Sequence, residues 1–240
     1  MKILIFLFLS VSNILYSRLF TNTSIFPVAA YSPGAYDTFW QTDLCIFNPN
    51  SFQIEIDANF YCEKGKFNKV ILVEAENVKC IQNVIHSLYN YEGMGLLTLE
   101  TSQYFFDSWI RIYNTKEDGG TYGQGIQNQF FEVQTSISYL FGITKNSRFR
   151  TNIGLASFPY GATFDFELYD KDGLLIKKYN NIQVREKSVL QFPMDVEIEN
   201  AFLRIIPKDK NIAYYAYMSL IDNITGDAVY TPAIGEFPEN

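Results

Sequence analysis

The chain has 240 residues, 48% hydrophobic, 17% aromatic and 19% charged, with a formal net charge of −7. That apolar share excludes a disordered tail, and three cysteines are too few for a disulfide-framed miniprotein. The acidic balance argues against a phosphate-backbone binder, so nucleic acid is not an expected partner, and the single histidine cannot supply a multi-histidine metal site.

Residues 1–17 read as a secretory signal. Lys2 is a minimal positive start, Ile3 to Leu9 is an unbroken apolar run, and small residues offer cleavage after Ser12 or after Ser17. The run is shorter than the ~18–20 apolar residues of a membrane span. No later segment is long and apolar enough to span, so the mature chain is expected to carry no transmembrane segment.

Strands are expected at 26–31, 39–47, 53–62, 69–75, 95–100 and 104–114, then at 132–141, 148–157, 162–169, 174–184, 201–206 and 212–222. The clearest alternate strictly: Ile54, Ile56, Ala58 and Phe60 against Gln53, Glu55, Asp57 and Asn59, and Phe164, Phe166 and Leu168 against Asp165 and Glu167. Ile81 to Leu88 is the one helix-like stretch. Asp170-Lys171-Asp172-Gly173 reads as a hairpin loop with Gly173 at positive φ.

These strands fall into two copies. Trp40-Gln41-Thr42-Asp43-Leu44-Cys45-Ile46 matches Phe149-Arg150-Thr151-Asn152-Ile153-Gly154-Leu155 at an offset of 109, and each is followed by a proline turn. Leu96–Leu99 matches Phe202–Ile205 at 106, and Ser108–Asn114 matches Tyr217–Asn223 at 109. Three collinear matches imply duplication. The expected organisation is a signal at 1–17 and two modules, 24–128 and 129–236, each a β-sandwich of immunoglobulin-like or jelly-roll-like type.

Export permits disulfides, yet Cys45, Cys62 and Cys80 are odd in number. Cys45 sits in the apolar run Leu44–Phe47 and reads as a small buried hydrophobe; Cys45–Cys62 or Cys62–Cys80 is a further option, with at least one free thiol in any case.

The motifs Phe39-Trp40-Gln41-Thr42-Asp43 with Asn48-Pro49, Gly120-Thr121-Tyr122-Gly123-Gln124, Phe149–Leu155 and Ser219–Asp227 make the chain similar to a family of exported bacterial proteins with duplicated β-domains. The resemblance spans about residues 26–233. It implies export and an all-β fold, and transfers no catalytic position.

Chemistry-bearing residues are sparse. His86 has no histidine partner and no Gly-x-Ser-x-Gly elbow exists, so nucleophilic catalysis is not expected. A carboxylate pair for glycoside hydrolysis remains a minority alternative, because most acids lie on the polar faces of strands. Asp222, Asn223 and Asp227 are weak calcium candidates in a segment that equally suits a turn. Asn22 and Asn223 begin glycosylation-type triplets, which carry little meaning in the bacterial context that the resemblance implies. The aromatics Trp109, Tyr214, Tyr215 and Tyr217 are the candidate ligand platform, with core and inter-module packing as the alternative use of such rings. Trp40 and Phe149 read as core anchors. The expectation is a secreted, periplasmic or cell-surface protein without catalytic residues or cofactor. It would have a structural or adhesive role and a protein or glycan of the envelope or surface as partner; carbohydrate binding through exposed aromatics is the alternative.

Overall fold

The computed structural model describes residues 21–102, 104–115, 119–210 and 212–236; the expected signal segment lies outside them. The first eight strands are β1 (Thr23–Pro33), β2 (Phe39–Asn48), β3 (Ile54–Cys62), β4 (Gly65–Val73), β5 (Asn77–Ile81), β6 (Gly93–Glu100), β7 (Asp107–Thr115) and β8 (Thr121–Gln127), with the short helix α1 (Val84–Tyr89) between β5 and β6. The remaining strands are β9 (Ser138–Lys145), β10 (Phe149–Ser157), β11 (Ala162–Tyr169), β12 (Leu175–Val184), β13 (Ser188–Pro193), β14 (Ile198–Pro207), β15 (Tyr214–Asp222), β16 (Ala228–Pro232) and β17 (Ile234–Gly235). The protein is all-β, its sheets packed against one another as in a β-sandwich.

Strand pairing repeats between the two halves. In the first, β4-β3-β6-β1 and β5-β2-β7-β8 run in those orders; in the second, β12-β11-β14-β9 and β13-β10-β15-β16 do the same. All these pairs are antiparallel. Two differences mark the copies. The end of β1 crosses to β2 through Ser32–Trp40 and Pro33–Phe39, joining the first half into one eight-stranded sheet, whereas β17 adds a fifth strand beside β9 in the second.

The recurring threonine has a defined task. Thr42 Oγ1 accepts from the Ala30 N–H at 2.8 Å and donates to the Ala30 carbonyl at 2.8 Å. Thr151 Oγ1 does the same with Thr144, at 3.0 and 2.8 Å. Both hydroxyls are buried and tie β2 to β1, or β10 to β9. Asn48, of the Asn-Pro turn, is buried and donates towards the carbonyls of Phe52, Val73 and Glu74 at 2.8–3.1 Å, closing that end of the sandwich.

The cores follow the alternation. Ile54, Ile56, Ala58 and Phe60 point into the first and Phe164, Phe166 and Leu168 into the second, while Glu55 and Asp57 face solvent. Helix α1 buries Val84, Ile85 and Tyr89 at one end of the first sandwich, and Tyr89 donates to the Ala58 carbonyl at 3.0 Å. The loop at 170–174 is as expected: Gly173 has φ 84°, and Asp170 Oδ1 accepts from the amides of Asp172 and Leu174.

Two sequence expectations are corrected by register. Cys45 lies opposite Trp109, and Gly154 opposite Tyr217, so Trp109 and Tyr217 are equivalent at an offset of 108, not 109. The slip of one residue would exchange the two faces of the strand. The disulfide is Cys45–Cys80, between residues paired directly across β2 and β5, and Cys62 is the free thiol. Neither bridge considered from sequence forms, because β5 pairs with β2 and sets Cys80 directly opposite Cys45; β5 lacks the apolar alternation that would have revealed this pairing.

Candidate functional site

The outward face of β10 meets the first sandwich. Its residues Ala156, Gly154, Asn152 and Arg150 form successive rungs with β15 and, over the first three, with β13: Val189–Ala156–Tyr215, Gln191–Gly154–Tyr217, Pro193–Asn152–Ser219, then Arg150–Ile221. Along this ladder the interface changes from dry to polar.

At the dry end Ala156 and Tyr215 pack with Ile25, Tyr61 and Leu96 from β1, β3 and β6, and Phe158 and Val189 join them. One rung along, Tyr217 enters the core cluster of the first sandwich, stacks on Tyr230 at 5.1 Å and donates to Gln191 Oε1 at 2.8 Å. Gly154 is required beneath it, since a Cβ there would fall 2.0 Å from the tyrosine Cζ. Polar contacts continue the joint. Ser219 Oγ donates to Gln124 Oε1 at 3.1 Å and Asn114 Nδ2 to the Gly226 carbonyl at 2.9 Å.

Beyond these contacts the two sandwiches part around a cleft of about 290 Å³. One wall comes from β1, β2, β6, β7 and β8, with Trp40, Met94, Ile112 and Gln124; the other is the Asn152–Arg150 end of the ladder with Gln191. The β1–β2 loop forms the lip, where Gly34 sits against the Trp40 indole and Tyr36 lies over the Arg150 guanidinium at 5.1 Å from its ring centre. Arg150 Nη1 donates to Asn223 Oδ1 at 2.8 Å. Arg150 is the only charged residue among the lining residues, which include no carboxylate, histidine or cysteine.

Of the four aromatics expected as a platform, three are used in packing. Tyr214 is in the second core, its hydroxyl at 2.9 Å from Ser138 Oγ and 2.7 Å from the Ser136 carbonyl; burial pushes its pKa up to about 12. Tyr215 lies in the dry joint, also raised by burial to about 12, and Tyr217 is fully buried and raised further by the same cause. Only Trp109 is exposed, at 41%, beside Cys45 on the outer face of β7. Trp40 packs on the first core and lines the cleft, while Phe149 is half-buried under the Arg148 guanidinium rather than a core anchor.

The calcium candidates form a turn. Asp222 Oδ1 accepts from the amides of Ile224 and Thr225, its other oxygen faces Arg148, and these contacts hold its pKa low. Asn223 Oδ1 is taken by Arg150, and Asp227 Oδ1 by the Ala228 amide. Among the described residues no cluster of three His, Cys, Asp or Glu side chains could hold a metal. His86 is exposed on α1 and stacks on Tyr31 at 4.7 Å.

A two-acid hydrolase needs one carboxyl group raised in pKa. Glu167 is instead held at about 2, chiefly by Lys178 and Tyr169. Asp165, beside the Asn181 amide and Lys208, and Asp195, beside Lys177 and Tyr179, are also held low. The cleft residues carry amide, indole and guanidinium donors. Sequence reasoning missed Arg150 and Asn152 as site residues; the available signal was a charged and a polar residue on the face of β10 that elsewhere shows only Gly154 and Ala156. No protein-family model matches the chain, and no curated protein is similar to it in sequence.

Proposed function

We propose that the chain is an exported, non-catalytic protein of the bacterial cell envelope or exterior, with a structural or adhesive role, that binds an envelope or surface partner. The observation that carries this reading is the cleft between the sandwiches, which offers hydrogen-bond donors and one guanidinium but no acid, base or metal ligand of the usual kinds. Export is supported by the signal-like residues 1–17 and by the Cys45–Cys80 disulfide, a bond that persists in oxidising compartments. The motif resemblance to exported duplicated β-domain proteins points the same way.

Carbohydrate binding is the second reading, and it is favoured by Trp40 within the cleft rather than by exposed aromatics on strand faces. Localisation tests the first. Antibody detection in fractionated cells should recover a shortened chain in the envelope or the medium, and protease should degrade it on intact or osmotically opened cells. Full-length protein confined to the cytosol would overturn the proposal.

A further inference from the structure

The cleft has a surplus of donors. Gln124 is 9% exposed, and only one end of its amide is bonded, to Ser219. Whichever way that amide is turned, its other end has no partner among the described residues. The Trp40 indole N–H, the Asn152 side chain and the Gln191 Nε2 likewise have no partner among them, although Gln191 Oε1 is held by Tyr217. None of these donors is sealed off within the protein, so an oxygen-rich group entering the cleft meets donors that the described residues do not already use.

Arg150 adds a charge with a fixed direction. Asn223 holds Nη1 and the Tyr36 ring covers the guanidinium, which leaves the Nε–Nη2 edge without an acceptor among the described residues. That edge is one of those that pair with a carboxylate through two parallel hydrogen bonds. Among the described residues no carboxylate lines the cleft to take this place. Burial lowers the Arg150 pKa, a sign that the charge is poorly solvated where it stands.

Size narrows the ligand. A volume of about 290 Å³ suits one small ring or a short hydroxylated chain better than an oligomer. An aromatic wall at Trp40 with amides opposite matches a ring that has an apolar face and hydroxyls at its edge. A single guanidinium balances one negative charge, whereas a phosphate dianion would remain half paired.

We propose that the cleft binds a cyclic sugar acid, a uronic acid either free or as a terminal glycan residue, with Arg150 taking the carboxylate, the Trp40 ring against the sugar face, and Gln124, Asn152 and Gln191 donating to its other oxygens. This rests on reading the chain as a binding protein and names the ligand class of that site.

Calorimetric titration of the whole folded protein tests it, with D-glucuronate, methyl β-D-glucuronide, methyl β-D-glucoside, D-gluconate and inorganic phosphate as probes. Either or both uronates should bind saturably and at least about 10-fold more tightly than the glucoside, and binding of the methyl glycoside assigns the site to glycan termini. Arg150→Gln should weaken uronate binding by at least about 10-fold with little change in Tm, and Arg150→Lys should restore only part of it. Should Arg150→Gln fail to fold, the wild-type ratio of uronate to glucoside and the variant Asn152→Leu decide the matter. Equal binding of glucoside and glucuronide would overturn the sugar-acid assignment while leaving a binding cleft in place. Tighter binding of phosphate or gluconate than of either uronate would also overturn it. Absence of saturable binding by every probe would remove the assignment, while export and envelope location would still stand or fall on fractionation.

Discussion

Tyr217 lies over Gly154 in the directly opposed rung of β15 and β10, and a Cβ on residue 154 would fall 2.0 Å from the ring Cζ. The ring cannot shift freely, because Tyr230 stacks on it and Gln191 holds its hydroxyl. Gly154→Ala should therefore destabilise the protein by about 1–3 kcal/mol, through overpacking at the joint. Tyr217→Ala should cost about 3–5 kcal/mol, and Trp109→Ala, at the equivalent but exposed rung, less than about 1 kcal/mol. Urea unfolding of the three variants checks the order.

Thr42 and Thr151 each satisfy both backbone groups of one residue on a neighbouring strand. Replacement by valine keeps the volume but leaves a buried N–H and C=O without that partner. Each variant should lose about 2–4 kcal/mol by chemical denaturation, and Thr→Ser at either position should lose much less. Near-equal losses at the two sites would express the duplication in energetic terms.

Reduction gives a third test. The Cys45–Cys80 bond closes a sequence separation of 35 residues, for which constraint of the unfolded chain is worth about 2–4 kcal/mol. A reductant should lower the Tm of the wild type and of Cys62→Ser alike, and should not affect Cys45→Ser/Cys80→Ser.

Acid stability should depend on Glu167. Its carboxyl accepts from Lys178 at 2.7 Å and Tyr169 at 2.7 Å and faces Arg204 at 3.4 Å, which hold its pKa at about 2. A carboxyl depressed on folding contributes stability above its unfolded pKa, near 4.5, and loses it as pH falls towards 2. With screening at the sheet surface the effect is on the order of 1 kcal/mol. Tm measured from pH 6 to pH 2 should fall across that window, with a shallower fall in Glu167→Gln.

Much of the fold is legible in the sequence because alternation and a repeated motif report half-buried strands directly. Residues 162–169 alternate without a break and form β11 with those bounds. The edge strands β5, β8, β13, β16 and β17 were missed, since an edge strand with one solvated side needs little apolar patterning; β5 is exposed along most of its length. The one-residue error in aligning β7 with β15 had a larger consequence than any boundary. It concealed the equivalence of Trp109 and Tyr217, one on a solvent face and the other in the joint. The cleft was illegible for a different reason. Its walls come from residues about 110 positions apart, and only docking of one copy on the other brings Trp40 and Arg150 to the same space.

The chain contains two tryptophans, Trp40 lining the cleft and Trp109 on an outer face. Their two indole N–H signals in a proton–nitrogen correlation spectrum, followed during titration with methyl β-D-glucuronide, separate the recognition surfaces in one experiment. The cleft account predicts that the Trp40 signal moves to saturation together with the side-chain amides of Gln124, Asn152 and Gln191, while Trp109 stays in place. Movement of Trp109 with Trp40 unchanged would contradict it.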